Sequence, residues 1–73
     1  MQYDDGNTIK LADRVRLING EVGTVVLSID TGEYAADFKK EDWEYLQTGI
    51  LVRTENGALV HLTDVSPHKP VRA

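Results

Sequence analysis

An all-β fold with one short helical turn, built as a small, partly open five-stranded barrel, is what this sequence predicts. Three observations carry that expectation. Apolar and charged residues alternate at Arg14-Val15-Arg16-Leu17, the period of a half-buried strand. Asn-Gly pairs stand at Asn19-Gly20 and Asn56-Gly57, and such pairs reach the left-handed backbone that short hairpins need. Gly23 interrupts the second strand just ahead of Thr24-Val25-Val26-Leu27, where a missing side chain permits a bulge or a close backbone approach.

The elements follow in order. Tyr3 to Ile9 reads as a small hairpin turning at Asp5-Gly6 or Gly6-Asn7, with Ile9 and Leu11 facing inward. Arg14 to Ile18 is the first strand of the main sheet and Gly23 to Ile29 the second. Val25-Val26-Leu27-Ser28-Ile29 is too apolar to be exposed, so it belongs at the centre. Asp30-Thr31-Gly32 supplies turn chemistry, and a long connection runs from Glu33 to Gly49. Within it, Lys39 to Leu46 makes one or two helical turns, placing Trp43 and Leu46 on one face, with Gly49 at the stop. Ile50 to Thr54 and Ala58 to Leu62 form a hairpin about Asn56-Gly57. Thr63 to Ser66 suits a 3₁₀ turn returning Val65 to the core. The domain spans residues 1–66, and 67–73, with Pro67 and Pro70, reads as a flexible tail. Val15, Leu17, Val25, Leu27, Leu51, Ala58 and Val60 are expected to share one core, with Arg14, Arg16 and Arg53 outside.

Seventy-three residues make one small domain without room for a separate catalytic unit. There is no cysteine, hence no disulfide and no thiolate metal site. No apolar run approaches the ~20 residues that span a bilayer, and Met1 to Asp5 has neither the basic start nor the apolar stretch of a signal peptide. A cytoplasmic protein without membrane contact is the expectation. The net charge of −4 argues against general nucleic-acid binding. Its placement says more. Between Asp30 and Tyr45 lie six acids and two lysines, whereas acids and bases balance elsewhere, so the whole net charge sits in sixteen residues.

The strand order and the turn after the first strand resemble the SH3-like barrel. Within that class, Asp13-x-Val15 followed by Gly20-x-x-Gly23-x-Val25 resembles the KOW-type motif of ribosomal and transcription-elongation proteins. That resemblance implies RNA contact by a basic face, here Lys10, Arg14, Arg16 and Arg53. Asp13-Arg14-Val15-Arg16 and the late strand Val60-His61-Leu62-Thr63 also resemble the plasmid-encoded type II dihydrofolate reductases, which would imply an oligomeric enzyme with a shared pore. The Gln-Ile-Tyr that lines that family's pore is here His61, Leu62 and Thr63. From Tyr3-Asp4-Asp5-Gly6 to Gly49-Ile50-Leu51-Val52, the chain further resembles small uncharacterised bacterial proteins. Some of this kind are immunity partners of secreted toxins.

Tyr34, Phe38, Trp43 and Tyr45 are four of the five aromatic residues and interleave with the six acids. Phe38 and Trp43 read as large side chains closing the barrel end, while the acids stay in water. The remaining residues make a contact surface in which aromatic anchors bind and acids steer a basic protein: Asp30, Glu33, Tyr34, Asp37, Glu41, Asp42, Glu44 and Tyr45. The paired carboxylates have simpler readings as turn and helix-start residues, and two histidines without cysteine make no zinc site. No catalytic residue, metal or cofactor is expected. The sequence therefore reads as a non-enzymatic interaction module of toxin-neutralising or regulatory type, with RNA binding and a reductase-like enzyme as alternatives.

Overall fold

The computed structural model describes residues 1–63 and 69–73. Six strands and one short helix form in the order β1 (Arg14–Arg16), β2 (Val22–Ser28), β3 (Glu33–Tyr34), α1 (Lys40–Trp43), β4 (Ile50–Thr54), β5 (Leu59–Leu62) and β6 (Val71–Arg72), with a 3₁₀ turn at Glu44–Leu46 after α1. All pairings are antiparallel, in the order β5-β4-β2-β1-β6. The short β3 pairs with Leu27 and Ser28 of β2, beyond the end of β1.

Both Asn-Gly sites turn the chain as three-residue loops rather than two-residue ones. Leu17 and Thr54 each donate a backbone N–H across the loop, to Glu21 and Ala58 at 2.7 and 2.8 Å. Gly20 and Gly57 occupy the left-handed position that closes each loop, with φ of 87° and 90°. The helical turn ends at Gln47, itself left-handed at φ 70°, before Gly49 is reached.

A bulge is present in β2, but it sits downstream of Gly23. Val25 pairs with Val52 and Leu27 with Leu51, so β2 carries one extra residue, Val26. That residue shifts the alternation so that Val26 and Leu27 share one face, and Val25, Val26, Leu27 and Ser28 are all buried because the sheet is covered on both sides at this point. Gly23 provides the other expected feature, a close approach. A Cβ there would lie 2.6 Å from Val52 Cγ1 and 2.7 Å from the Arg53 carbonyl oxygen.

The apolar residues form two clusters on opposite faces of the sheet, where one barrel core was expected. The N-terminal segment covers the first face, with Met1, Tyr3 and Ile9 against Val15, Val25, Ile50 and Val52. The acidic connection covers the second, with Phe38, flanked by Tyr34, Ala35 and Trp43, against Val26, Leu27 and Leu51. The sheet is thus covered on its first face and over part of its second, and it does not close into a barrel: β5 and β6 remain its two ends.

Several expectations are corrected. The Tyr3–Ile9 hairpin is reduced to a single bridge between Gln2 and Thr8. Ala58 is exposed and Val60 half-buried, because they lie at the end and on the strand of the sheet's edge. Val71 and Arg72 pair with Arg16 and Val15, where the sequence reading gives the segment no strand. The 3₁₀ turn at Thr63–Ser66, the return of Val65 and the 66/67 boundary concern residues outside the described ones.

Candidate interaction surface

The structure divides the eight residues expected at the contact surface. Asp30 is a structural anchor: its carboxylate accepts from the Met1 ammonium at 2.9 Å and from the Gly49 amide at 3.1 Å. The ammonium hydrogen bond is the main reason that its carboxyl is held below the ordinary carboxylate range. Glu33 accepts from the Thr31 hydroxyl at 2.8 Å and, at 3.5 Å, from the Leu11 amide. Tyr34 is half-buried in the second cluster. Asp37 accepts from the Arg53 guanidinium at 3.1 Å.

Glu41, Asp42, Glu44 and Tyr45 are different. They lie on α1 and the 3₁₀ turn, are exposed, and the three acids have no ion pair or side-chain hydrogen bond among the described residues. Glu41 and Asp42 stand in the first turn of α1, where carboxylates suit the amide end of a helix. Tyr45 is 69% exposed. Its ring stacks on Trp43, with centroids 6.4 Å apart and planes 23° from parallel. Trp43 in turn lies 5.6 Å from buried Phe38. The aromatic residues thus form a ladder from the core outward. Phe38 and Trp43 cover the second face of the open sheet rather than close a barrel end, and Tyr45 is the outermost rung.

The alternative basic site separates as well. Thr24 pairs with Arg14 on one side and Arg53 on the other, and Arg16 pairs with Val22. All three arginines therefore project from the second face. Arg14 meets Glu55 at 2.7 Å, and Arg53 lies 5.1 Å over the Phe38 ring while reaching Asp37. Arg16 has no ion pair among the described residues. Lys10 is not in this group. It lines an open hollow of about 530 Å³ with Gly6, Asn7, Thr8, Asp13 and Arg72.

Pairing alone links the two candidate sites: the Arg53–Asp37 contact joins arginine rows and acidic connection on one face. No spacing in the sequence signals it, nor the contacts made by Tyr3. The Tyr3 ring lies under the Arg72 guanidinium at 4.2 Å, and its hydroxyl donates to Asp13 at 2.8 Å. Burial, reinforced by that carboxylate, pushes the phenol pKa up to about 12. Among the described residues no group of three or more His, Asp or Glu is placed to hold a metal ion, and no helix is long and apolar enough to cross a membrane. No family model, curated protein or solved structure matches the chain.

Proposed function

We propose that this chain is a cytoplasmic, non-enzymatic interaction module of neutralising or regulatory type, which binds a basic protein surface through the tip Glu41, Asp42, Glu44 and Tyr45. One observation carries the reading. Tyr45 is held outward by its stack on Trp43 and is neighboured by three carboxylates free of internal partners. A Tyr ring already packed on a neighbouring ring has few rotamers left to lose on binding, and unpaired acids around it favour a cationic partner. The strand order, in which the last strand returns to pair with the first, supports an opened SH3-like arrangement as the scaffold.

RNA binding by Arg14, Arg16 and Arg53 is the weaker reading, because Glu55 and Asp37 already neutralise two of these side chains. A titration with a lysine-rich peptide tests the proposal. Wild type should bind, with affinity falling as salt rises, and Glu41→Lys/Glu44→Lys should not. Undiminished binding by the reversed variant would move the site off the tip.

A further inference from the structure

The second face carries two halves of opposite character. One half is covered by the connection, which ends in the acidic Tyr45 ridge. The other is bare sheet, arranged in two rows. Leu59, Arg53, Thr24 and Arg14 follow one another across β5, β4, β2 and β1, and Val22, Arg16 and Val71 make the neighbouring row on β2, β1 and β6. Leu59 and Val71 are 45% and 49% exposed, so apolar surface lies beside the arginines. Arg53 marks the seam, since its guanidinium already pairs with Asp37 of the connection. The molecule thus makes within itself, at the seam, an acid–arginine contact of the kind that the ridge and the rows would make between molecules.

We infer that this face is self-complementary and pairs two copies of the chain about a two-fold axis. The inference rests on the reading of the tip as a contact surface and names its partner. Glu41, Asp42, Glu44 and Tyr45 of each copy lie over the Arg14 and Arg16 rows of the other. A two-fold axis exchanges the halves, so each ridge meets a row and the assembly closes at two copies. Arg16, unpaired within the described chain, gains carboxylate partners, and the exposed Tyr45 ring meets the flat sheet beside Val22 and Val71. A standard interface takes ~800 Å² from each partner, and this chain exposes 4497 Å² in all. The dimer would use nearly a fifth of its surface, and because carboxylate–arginine pairs carry it, the association is sensitive to salt.

Sedimentation equilibrium of the full chain tests this at ~0.02 M and ~0.5 M salt, with variants that exchange the charges. Wild type should dimerise at low salt and dissociate at high salt. Glu41→Lys/Glu44→Lys and Arg14→Glu/Arg16→Glu should each be monomeric alone, since each sets like charge against like. Mixed, they should form a one-to-one heterodimer, a result that also shows both variants to be folded. Tyr45→Ser, which alters no charge, should weaken self-association about tenfold, as loss of a central aromatic anchor does. A wild type monomeric at low salt, or a mixture of variants that stays monomeric, overturns the inference. If that monomer still binds the lysine-rich peptide through its tip, only the second copy is lost as partner. If Arg14→Glu/Arg16→Glu instead abolishes binding of single-stranded polyuridylate by a monomeric wild type, the face is a nucleic-acid surface and the dimer is refuted.

Discussion

Asp30, at the start of the acidic connection, binds the Met1 ammonium and the Gly49 amide, whereas Glu44, near its end, binds no other side chain among the described residues. The same division runs through the rest of the segment. Glu33, Tyr34, Asp37 and Phe38 are spent on internal contacts with Leu11, the second cluster and Arg53. Glu41, Asp42 and Tyr45 project into water. Composition treats all six acids alike, but their free energies of interaction differ in kind. Charge that is paired and partly buried holds the fold; charge that is exposed and unpaired contributes little to stability and is available to a partner.

This contrast can be broken first at its rigid end. Gly49 anchors Asp30 through its amide and has φ +95°, and a Cβ there would fall 2.1 Å from the Leu62 carbonyl oxygen. Gly49→Ala combines a clash with a strained backbone and should cost ~3 kcal/mol or more in urea unfolding. Gly23→Val should approach that loss through its contacts with Val52 and Arg53. Gly32→Ala, at φ +73° but in open space, should cost about 1 kcal/mol. Equal tolerance at the three glycines would mean that the close approaches are not what holds the sheet.

Asp30→Asn should come next, at ~1.5–3 kcal/mol, the usual worth of hydrogen bonds to a charged group. Its pH dependence has a definite sign. Because the folded carboxyl titrates below the ordinary range, its contribution is complete above the unfolded-state pKa. It is lost as pH falls through the lower, folded-state value. Wild type should therefore lose stability faster than Asp30→Asn in that acid window. Parallel acid limbs for the two proteins would remove Asp30 from the anchoring role.

The smallest effect should have the opposite sign. Ser28 pairs with Ile50 of the first cluster, and its hydroxyl is buried with no hydrogen-bond partner among the described residues. Ser28→Ala removes a polar group already stripped of water, and should raise stability by up to ~1 kcal/mol. A loss of that size would point to a hydrogen bond made by this hydroxyl.

Local signals were legible in the sequence, and long-range ones were not. The turns at Asn19-Gly20 and Asn56-Gly57, the alternation at Arg14 to Leu17 and the inward packing of Phe38 and Trp43 follow from neighbouring residues, although these two rings cover a sheet face rather than close a barrel end. The bulge at Val26 was hidden because an unbroken apolar run gives no parity to read. The second cluster was hidden for the same reason, since burial on both faces leaves no polar face to mark the outside. Pairings such as Met1 with Asp30 and Asp37 with Arg53 join residues whose spacing has no period. These pairings decide which of the acids remain free, so the sequence could propose the connection as a whole and could not single out the tip now proposed.

The division between anchoring and contacting acids is tested most directly by amide chemical-shift mapping during titration with the lysine-rich peptide. Shifts should concentrate on Lys40 to Leu46, with Tyr45 ring resonances moving alongside, while the amides around Asp30 and Gly49 stay in place. Shifts centred on Asp30 to Asp37, or on the rows of Arg14, Arg16 and Arg53 with the tip unmoved, would contradict that division.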